Sequence, residues 1–173
     1  MKAERTKLRL ICELMTNCRR SDRELATAVG ISQPTVTRMR RKLEDSGFIK
    51  EYAAVPDFKK LGFDIMAFTF IRYREEMSHE EYRRVKSAAQ DYEKQFPTAY
   101  LMALRGSGLN SDRTIVTFHE DYASYTRMLS QLRQLPLTAV ADLKSFLVNL
   151  DDTEHYRPLT LSKIVEYLLT TSN

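Results

Sequence analysis

From Ser32 to Lys42 the chain sets out Gln33, Thr35, Thr37, Arg38, Arg40, Arg41 and Lys42, while Val36, Met39 and Leu43 recur on another face at helical spacing. Amides and hydroxyls near a helix N-terminus can pair with base edges in a duplex groove, and Arg and Lys can hold bases or phosphates. Ser32, Gln33, Thr35, Thr37, Arg38, Arg40, Arg41 and Lys42 are therefore the candidate surface for double-stranded DNA. Gln33, Thr35, Thr37 and Arg38 are expected toward bases; Arg40, Arg41 and Lys42 are expected toward phosphates, with Arg19 and Arg20 helping from an upstream turn. The competing reading is a solvated face on a structural hairpin.

Other chemistry finds little support. His79, His119 and His155 are scattered, and none has a partner at the i, i+4 spacing of a metal-binding helix. No Gly-rich phosphate loop precedes a helix, and no Ser or Cys sits in a nucleophile motif. Cys12 and Cys18 lack the CxxC spacing of a zinc or redox site, which suits a reducing cytoplasm. No catalytic residue, metal or cofactor is expected.

Charge placement agrees with a polyanion partner. The 173 residues carry 27 Lys and Arg against 23 Asp and Glu, a net +4. Residues 1–50 alone hold 12 basic against 6 acidic side chains; residues 51–173 hold 15 against 17. The first third meets the polyanion and the remainder has other duties. At 43% hydrophobic the chain can build a core, which excludes a disordered or collagen-like protein. No run approaches the ~20 apolar residues of a membrane span, and no secretory signal follows Met1, so a cytoplasmic protein without a membrane partner is expected.

Three helices must position the polar set. Thr6 to Asn17 carries a stripe of Leu8, Ile11, Cys12 and Met15. Ser21 stands three residues before Glu24, a capping-box spacing. The helix it opens turns Leu25, Ala26 and Val29 to one side and stops at Gly30. Ser32 is an N-cap candidate with Pro34 just inside the next helix, which runs to about Asp45. Small Ala26, the Gly30 turn and the wedge of Leu25, Val29, Ile31, Val36 and Met39 are what two helices crossing at a tight turn require. Phe48 to Pro56 is β-prone and reads as a short strand or wing, and Pro56 to Gly62 as a hinge.

The remainder alternates strands and helices. Phe63 to Tyr73 is apolar on both faces, as in a strand buried on both sides. Ser78 and Glu81 form a second capping box, and Tyr82, Val85, Ala89, Tyr92 and Phe96 follow at helical spacing up to Pro97. Strands are expected at Ala99 to Leu104, Thr114 to Phe118 and Ala139 to Leu150. Between the last two, a helix faces Tyr122, Tyr125, Leu129, Leu132 and Leu135 inward and halts at Pro136. The fold class is α+β: a helix-turn-helix domain, then a ferredoxin-like β-α-β-β-α-β domain whose helices share one sheet face. The first strand's second apolar face then needs a partner, most naturally the same face of another copy in a homodimer. Pro158 to Leu169 adds a tail helix with Leu161, Ile164, Val165 and Leu168 on its apolar side. The expected layout is 1–55 for DNA, 56–62 as hinge, 63–157 for dimerisation and effector, and 158–173 as tail.

The run from Arg20 through Gly62 resembles the leucine-responsive/asparagine regulator (Lrp/AsnC) family. Leu25 to Ser32, Arg38 to Ile49 and Lys59 to Gly62 carry the likeness, and the later strand and helix order extends it to about Leu159. The resemblance implies a winged helix-turn-helix joined to a ligand-sensing, dimerising α/β domain. It further implies assembly into tetramers or octamers and amino-acid binding through the loop between the second and third strands. The tail helix is not something the family's core requires.

That loop departs from the family's compact Gly-Asp-Tyr-Asp-like turn, reading Gly106-Ser107-Gly108-Leu109-Asn110-Ser111-Asp112. A free amino acid needs an acceptor for its ammonium and donors for its carboxylate. Gly106, Ser107, Gly108, Asn110 and Asp112 are the candidate effector residues, against the plain reading of an exposed hairpin loop. Two other functions share the architecture: a sirohaem-decarboxylase-like tetrapyrrole enzyme, and a small-molecule sensor that does not bind DNA.

Overall fold

The Ser21 spacing does what it predicts. Ser21 N–H donates to Glu24 Oε2 at 2.7 Å while Glu24 N–H donates to Ser21 Oγ at 3.3 Å, so two free backbone donors are satisfied at the start of α2 (Asp22–Val29). Such a cap contributes about 1 kcal/mol. Gly30 closes the helix at φ 77°, left-handed backbone that a side chain would strain, and its N–H returns to the Ala26 carbonyl at 2.9 Å. The chain then enters α3 (Gln33–Asp45) through Ser32, whose carbonyl accepts the first helical bond. Its hydroxyl caps nothing; it pairs with Thr35 Oγ1 at 2.8 Å.

In the computed structural model, which describes residues 2–73, 78–95, 99–134, 140–152, 154 and 159–171, the chain divides into two units. Met1–Val55 and Pro158–Asn173 form the first; Pro56–Arg157 form the second. Phe96, Pro97, Leu135, Pro136, Ala139, His155 and Pro158, and the side chains of Tyr82, Ala89 and Tyr92, lie outside the described residues.

The first unit is built from α1 (Lys2–Thr16), α2, α3 and α6 (Ser162–Thr171). Leu10, Leu14, Leu25, Ala26, Val29, Val36 and Leu43 make its core, with Ile11, Ile31, Met39 and Ile49 against it. Burying each Leu or Val contributes about 1.5–3 kcal/mol. The expected stripe of α1 requires correction: Leu10 and Leu14 enter the core, while Leu8 and Met15 are only half-buried and Cys12 is buried outside that cluster. The reason is that α1 is covered on two sides, since α6 packs on it as well as α2. Burial pushes the Cys12 thiol above its ordinary value. The tail helix thus belongs to its own chain's first unit, through Val165; Leu161 and Ile164, expected inward, are exposed.

No strand forms among residues 48–57, so the expected strand or wing is irregular chain here. Its side chains turn back onto the unit instead: Ile49 joins the core, and Tyr52 donates to Glu44 Oε1 at 2.7 Å. The stretch read as a hinge is a docked turn of the second unit. Phe58 stacks on Phe118 at 4.0 Å, and Lys59 pairs with Asp64 and, at 2.8 Å, with Asp151.

The second unit runs β1 (Ile65–Tyr73), α4 (His79–Gln95), β2 (Ala99–Gly108), β3 (Ser111–His119), α5 (Tyr122–Gln134), β4 (Val140–Asn149). This is the β-α-β-β-α-β order, with one antiparallel sheet in the order β2-β3-β1-β4. The Ser78–Glu81 capping box opens α4 at 2.7 and 3.2 Å. Ala67 and Ile71 of β1 and Ile115 of β3 pack under Tyr125, Met128 and Leu132 of α5. Met128 is the inward residue that the expected stripe lacked, and Tyr122 points out. Asp121 accepts the Ser124 N–H at the helix start, so Tyr122 is the first helical residue and stands ahead of the turns that pack on the sheet. His119 lies buried, with Nε2 2.8 Å from Thr117 Oγ1, and burial holds its imidazole below its ordinary value.

Met102, Val116, Phe68 and Phe146 face one another in a single row across all four strands, on the face turned away from α5. Val116 and the half-buried Phe68 lie at its centre, Phe146 is 64% exposed and Met102 40%. The second apolar face expected from the sequence is present, open at Phe146 and Met102 and closed at Val116 and at Phe118, which Phe58 covers.

Candidate nucleic-acid interface

The geometry of α3 follows from what its other side buries. Val36, Met39 and Leu43 are turned to the core, which at 3.6 residues per turn points Pro34, Arg38, Arg41 and Asp45 straight outward. Gln33, Pro34, Thr37, Arg38, Arg40, Arg41 and Glu44 line a shallow groove along the exposed side. The helix begins at Gln33, so its first N–H groups and the positive end of its dipole sit beside the side chains expected to meet bases.

The eight expected residues separate into two groups. Gln33, Arg38, Arg41 and Lys42 are exposed, and among the described residues their side chains make no hydrogen bond or ion pair. The other four are committed within the protein. Ser32 and Thr35 hydroxyls pair with each other. Thr37 donates to Asp22 Oδ2 at 2.6 Å. Arg40 forms an ion pair with Asp22 Oδ1 at 2.8 Å and lies over the Tyr52 ring, 5.7 Å from its centroid. Of the two helping arginines, Arg20 is paired with Glu13 and Arg19 is exposed.

Sequence reasoning passed over Asp22, Tyr52 and Glu44. Asp22 reads as an ordinary acid in a first helical turn, and its partners lie 15 and 18 residues on. The spacing of the two-helix motif was the available signal, since it brings the start of α2 against the side of α3. The Tyr52 hydroxyl is pushed up to about 12, by burial first and then by its bond to Glu44.

The candidate effector loop is largely strand. Gly106, Ser107 and Gly108 lie in β2 and Ser111 and Asp112 in β3, and the turn is only Leu109-Asn110, at φ 52° and 55°. Two consecutive left-handed residues give the twist of a two-residue hairpin, which Asn tolerates and a glycine count conceals. Asp112 Oδ2 accepts the Tyr73 N–H at 2.8 Å. Among the described residues, no group of His, Cys, Asp and Glu side chains could hold a metal, and no helix is long and apolar enough to cross a membrane.

Residues 4–50 match the winged helix-turn-helix DNA-binding family. The leucine-responsive regulatory protein of Rhizobium meliloti is 39% identical over 64 residues, covering 37% of this chain and 41% of that relative. The HTH-type transcriptional regulator LrpC of Bacillus subtilis is 36% identical over 90 residues, covering 52% of this chain and 60% of that relative. The matched stretches therefore span about half the length of these relatives. The fold likeness reaches further. An AsnC family regulator from Agrobacterium tumefaciens superposes with a TM-score of 0.71 at 21% identity, over 92% of this chain and 98% of that one. A transcriptional regulator of Neisseria meningitidis, solved with L-Met, gives 0.70 at 22% identity over 92% and 97%. The first unit is therefore similar in sequence to the helix-turn-helix of leucine-responsive regulators, and the whole order of elements is similar in fold to AsnC family regulators.

Proposed function

We propose that the chain is a sequence-specific DNA-binding transcription regulator that acts as a homodimer. The observation that carries this reading is the outer side of α3, where Gln33, Arg38, Arg41 and Lys42 stand exposed and uncommitted on a helix whose inner side is buried. Gln33 and Arg38, in the first turn and a half, read base edges; Arg41 and Lys42 hold phosphates. The row Met102, Val116, Phe68 and Phe146 is the dimer face, because an isologous contact buries the same apolar surface on both copies. A dimer sets two recognition helices about 34 Å apart, one turn of duplex.

A small molecule such as an amino acid modulates binding, and dimers associate further into tetramers or octamers. The effector surface is the β2–β3 hairpin end, Gly106 to Asp112, where Asp112 keeps Oδ1 for an ammonium. Support comes from the family and from the neighbour solved with L-Met. Selection of genomic fragments by the purified chain tests the reading. It should enrich a short near-palindromic site, and Arg38→Ala should weaken that site by about 1–3 kcal/mol at one base pair. Retention without sequence preference at moderate salt, or Arg38→Ala with unchanged binding, would defeat it. Repeating the selection with single amino acids tests the effector.

A further inference from the structure

Arg40 lies on the DNA-facing helix and by residue type belongs with the phosphate-binding cations, yet its guanidinium is taken. Nη1 donates to Asp22 Oδ1 at 2.8 Å and Nη2 to the Arg20 carbonyl at 3.4 Å, while Nε is buried without a partner. The side chains of Arg40 and Asp22 are only 23% and 18% exposed, so their charges cancel largely out of water. The second oxygen of Asp22 accepts the Thr37 hydroxyl at 2.6 Å. One carboxylate at the start of α2 therefore grips α3 at two points one turn apart. The grip continues along the same side of α3. Tyr52 lies against the Arg40 guanidinium and donates to Glu44 Oε1 at 2.7 Å, one turn further on.

Residues 37, 40 and 44 share one edge of a helix, and pinning all three fixes the rotation of α3 about its axis. That rotation decides which base edges Gln33 and Arg38 can reach. We infer that Asp22, Arg40 and Tyr52 are positioning residues for base recognition and that Arg40 is not a phosphate contact. The inference rests on α3 being the DNA-reading helix. It reassigns one of that helix's cations and adds two residues, one on α2 and one on the chain leaving the unit, to what sets sequence preference.

The test uses the full chain and the duplex it selects, with binding measured by anisotropy over a salt series and base preference measured by repeating the selection. Asp22→Asn and Arg40→Gln should each weaken specific binding at least about fivefold and broaden base preference. The double variant should be no weaker than either single, because both break the same grip. The salt slope should stay at the wild-type value, whereas Arg41→Ala should lower it by about one. A phosphate-binding Arg40 predicts the reverse: Arg40→Gln lowers the slope by about one, and Asp22→Asn tightens binding by releasing a cation. Tyr52→Phe keeps the ring and drops only the bond to Glu44. It should broaden base preference without changing the melting temperature, and an unchanged profile overturns the role of Tyr52. A wild-type chain that selects no sequence defeats the underlying DNA reading instead.

Discussion

The two units end in opposite kinds of surface. In the first, Leu10, Leu25, Val36 and Leu43 are almost wholly buried and the outer side of α3 is polar and basic. In the second, the sheet closes one face beneath α5 and leaves Phe146, Met102 and Leu104 open on the other. Isolated exposed apolar residues are ordinary; an apolar row across four strands whose two ends, Met102 and Phe146, stand open is not. What each unit leaves in water suits the partner proposed for it: hydrogen-bonding edges and phosphates for one, apolar side chains for the other. The remaining apolar exposure of the first unit is carried outside α3, on α6 and the chain after Gly47.

The strongest test of this contrast is a cavity in the first core. Leu25→Ala should cost that unit about 2–5 kcal/mol. Hydrogen exchange should show the loss in α1, α2 and α3 while protection across β1 to β4 is kept; a parallel loss in both would mean that the units are one cooperative body. Next in size is Phe146→Asp. The side chain is already exposed, so the monomer should melt as before, while burial forgone at the contact, about 1.5–3 kcal/mol, raises the dimer dissociation constant about tenfold to a hundredfold. Sedimentation equilibrium reads it, and an unshifted mass would remove the sheet face as the dimer surface.

The smallest effect concerns what the units share. Glu24, Glu81 and Asp121 are each held below their ordinary values of 4.5, 4.5 and 3.8 by hydrogen bonds with Ser21, Ser78 and Ser124 at helix starts. A carboxylate depressed on folding stabilises fully above its unfolded value, and that stabilisation disappears as pH falls through the folded one. Both units should therefore weaken below about pH 4. Ser21→Ala should cost the first unit about 1 kcal/mol at neutral pH and flatten its acid response alone. Circular dichroism melts between pH 3 and 7 would show it, and a flattened response in the second unit would contradict local capping.

The helix-turn-helix was legible because its instructions are local. Ser21 with Glu24, Gly30, and the apolar positions of α2 and α3 act within a few residues of one another. What escaped depends on distant partners or on conformation that residue type does not announce. Leu10 and Leu14 could not be told from Leu8 and Met15, since α6, which returns some 150 residues later, covers a second side of α1. The hairpin between the second and third strands turns on only Leu109-Asn110, where a run of Gly, Ser and Asn suggested a longer loop. Four of the eight residues assigned to DNA at α3 and its N-cap pair their polar atoms within the unit, because composition shows which groups a helix carries but not which are already engaged.

The order in which the first unit is assembled follows from α6. A ribosome releases α1, α2 and α3 early, then the whole second unit, and only afterwards the helix that shields the back of α1. Until residues 162–171 emerge, the nascent chain carries the first three helices with one flank of α1 bare, and a stop codon late in the message would strip that flank while sparing every residue on the outer side of α3.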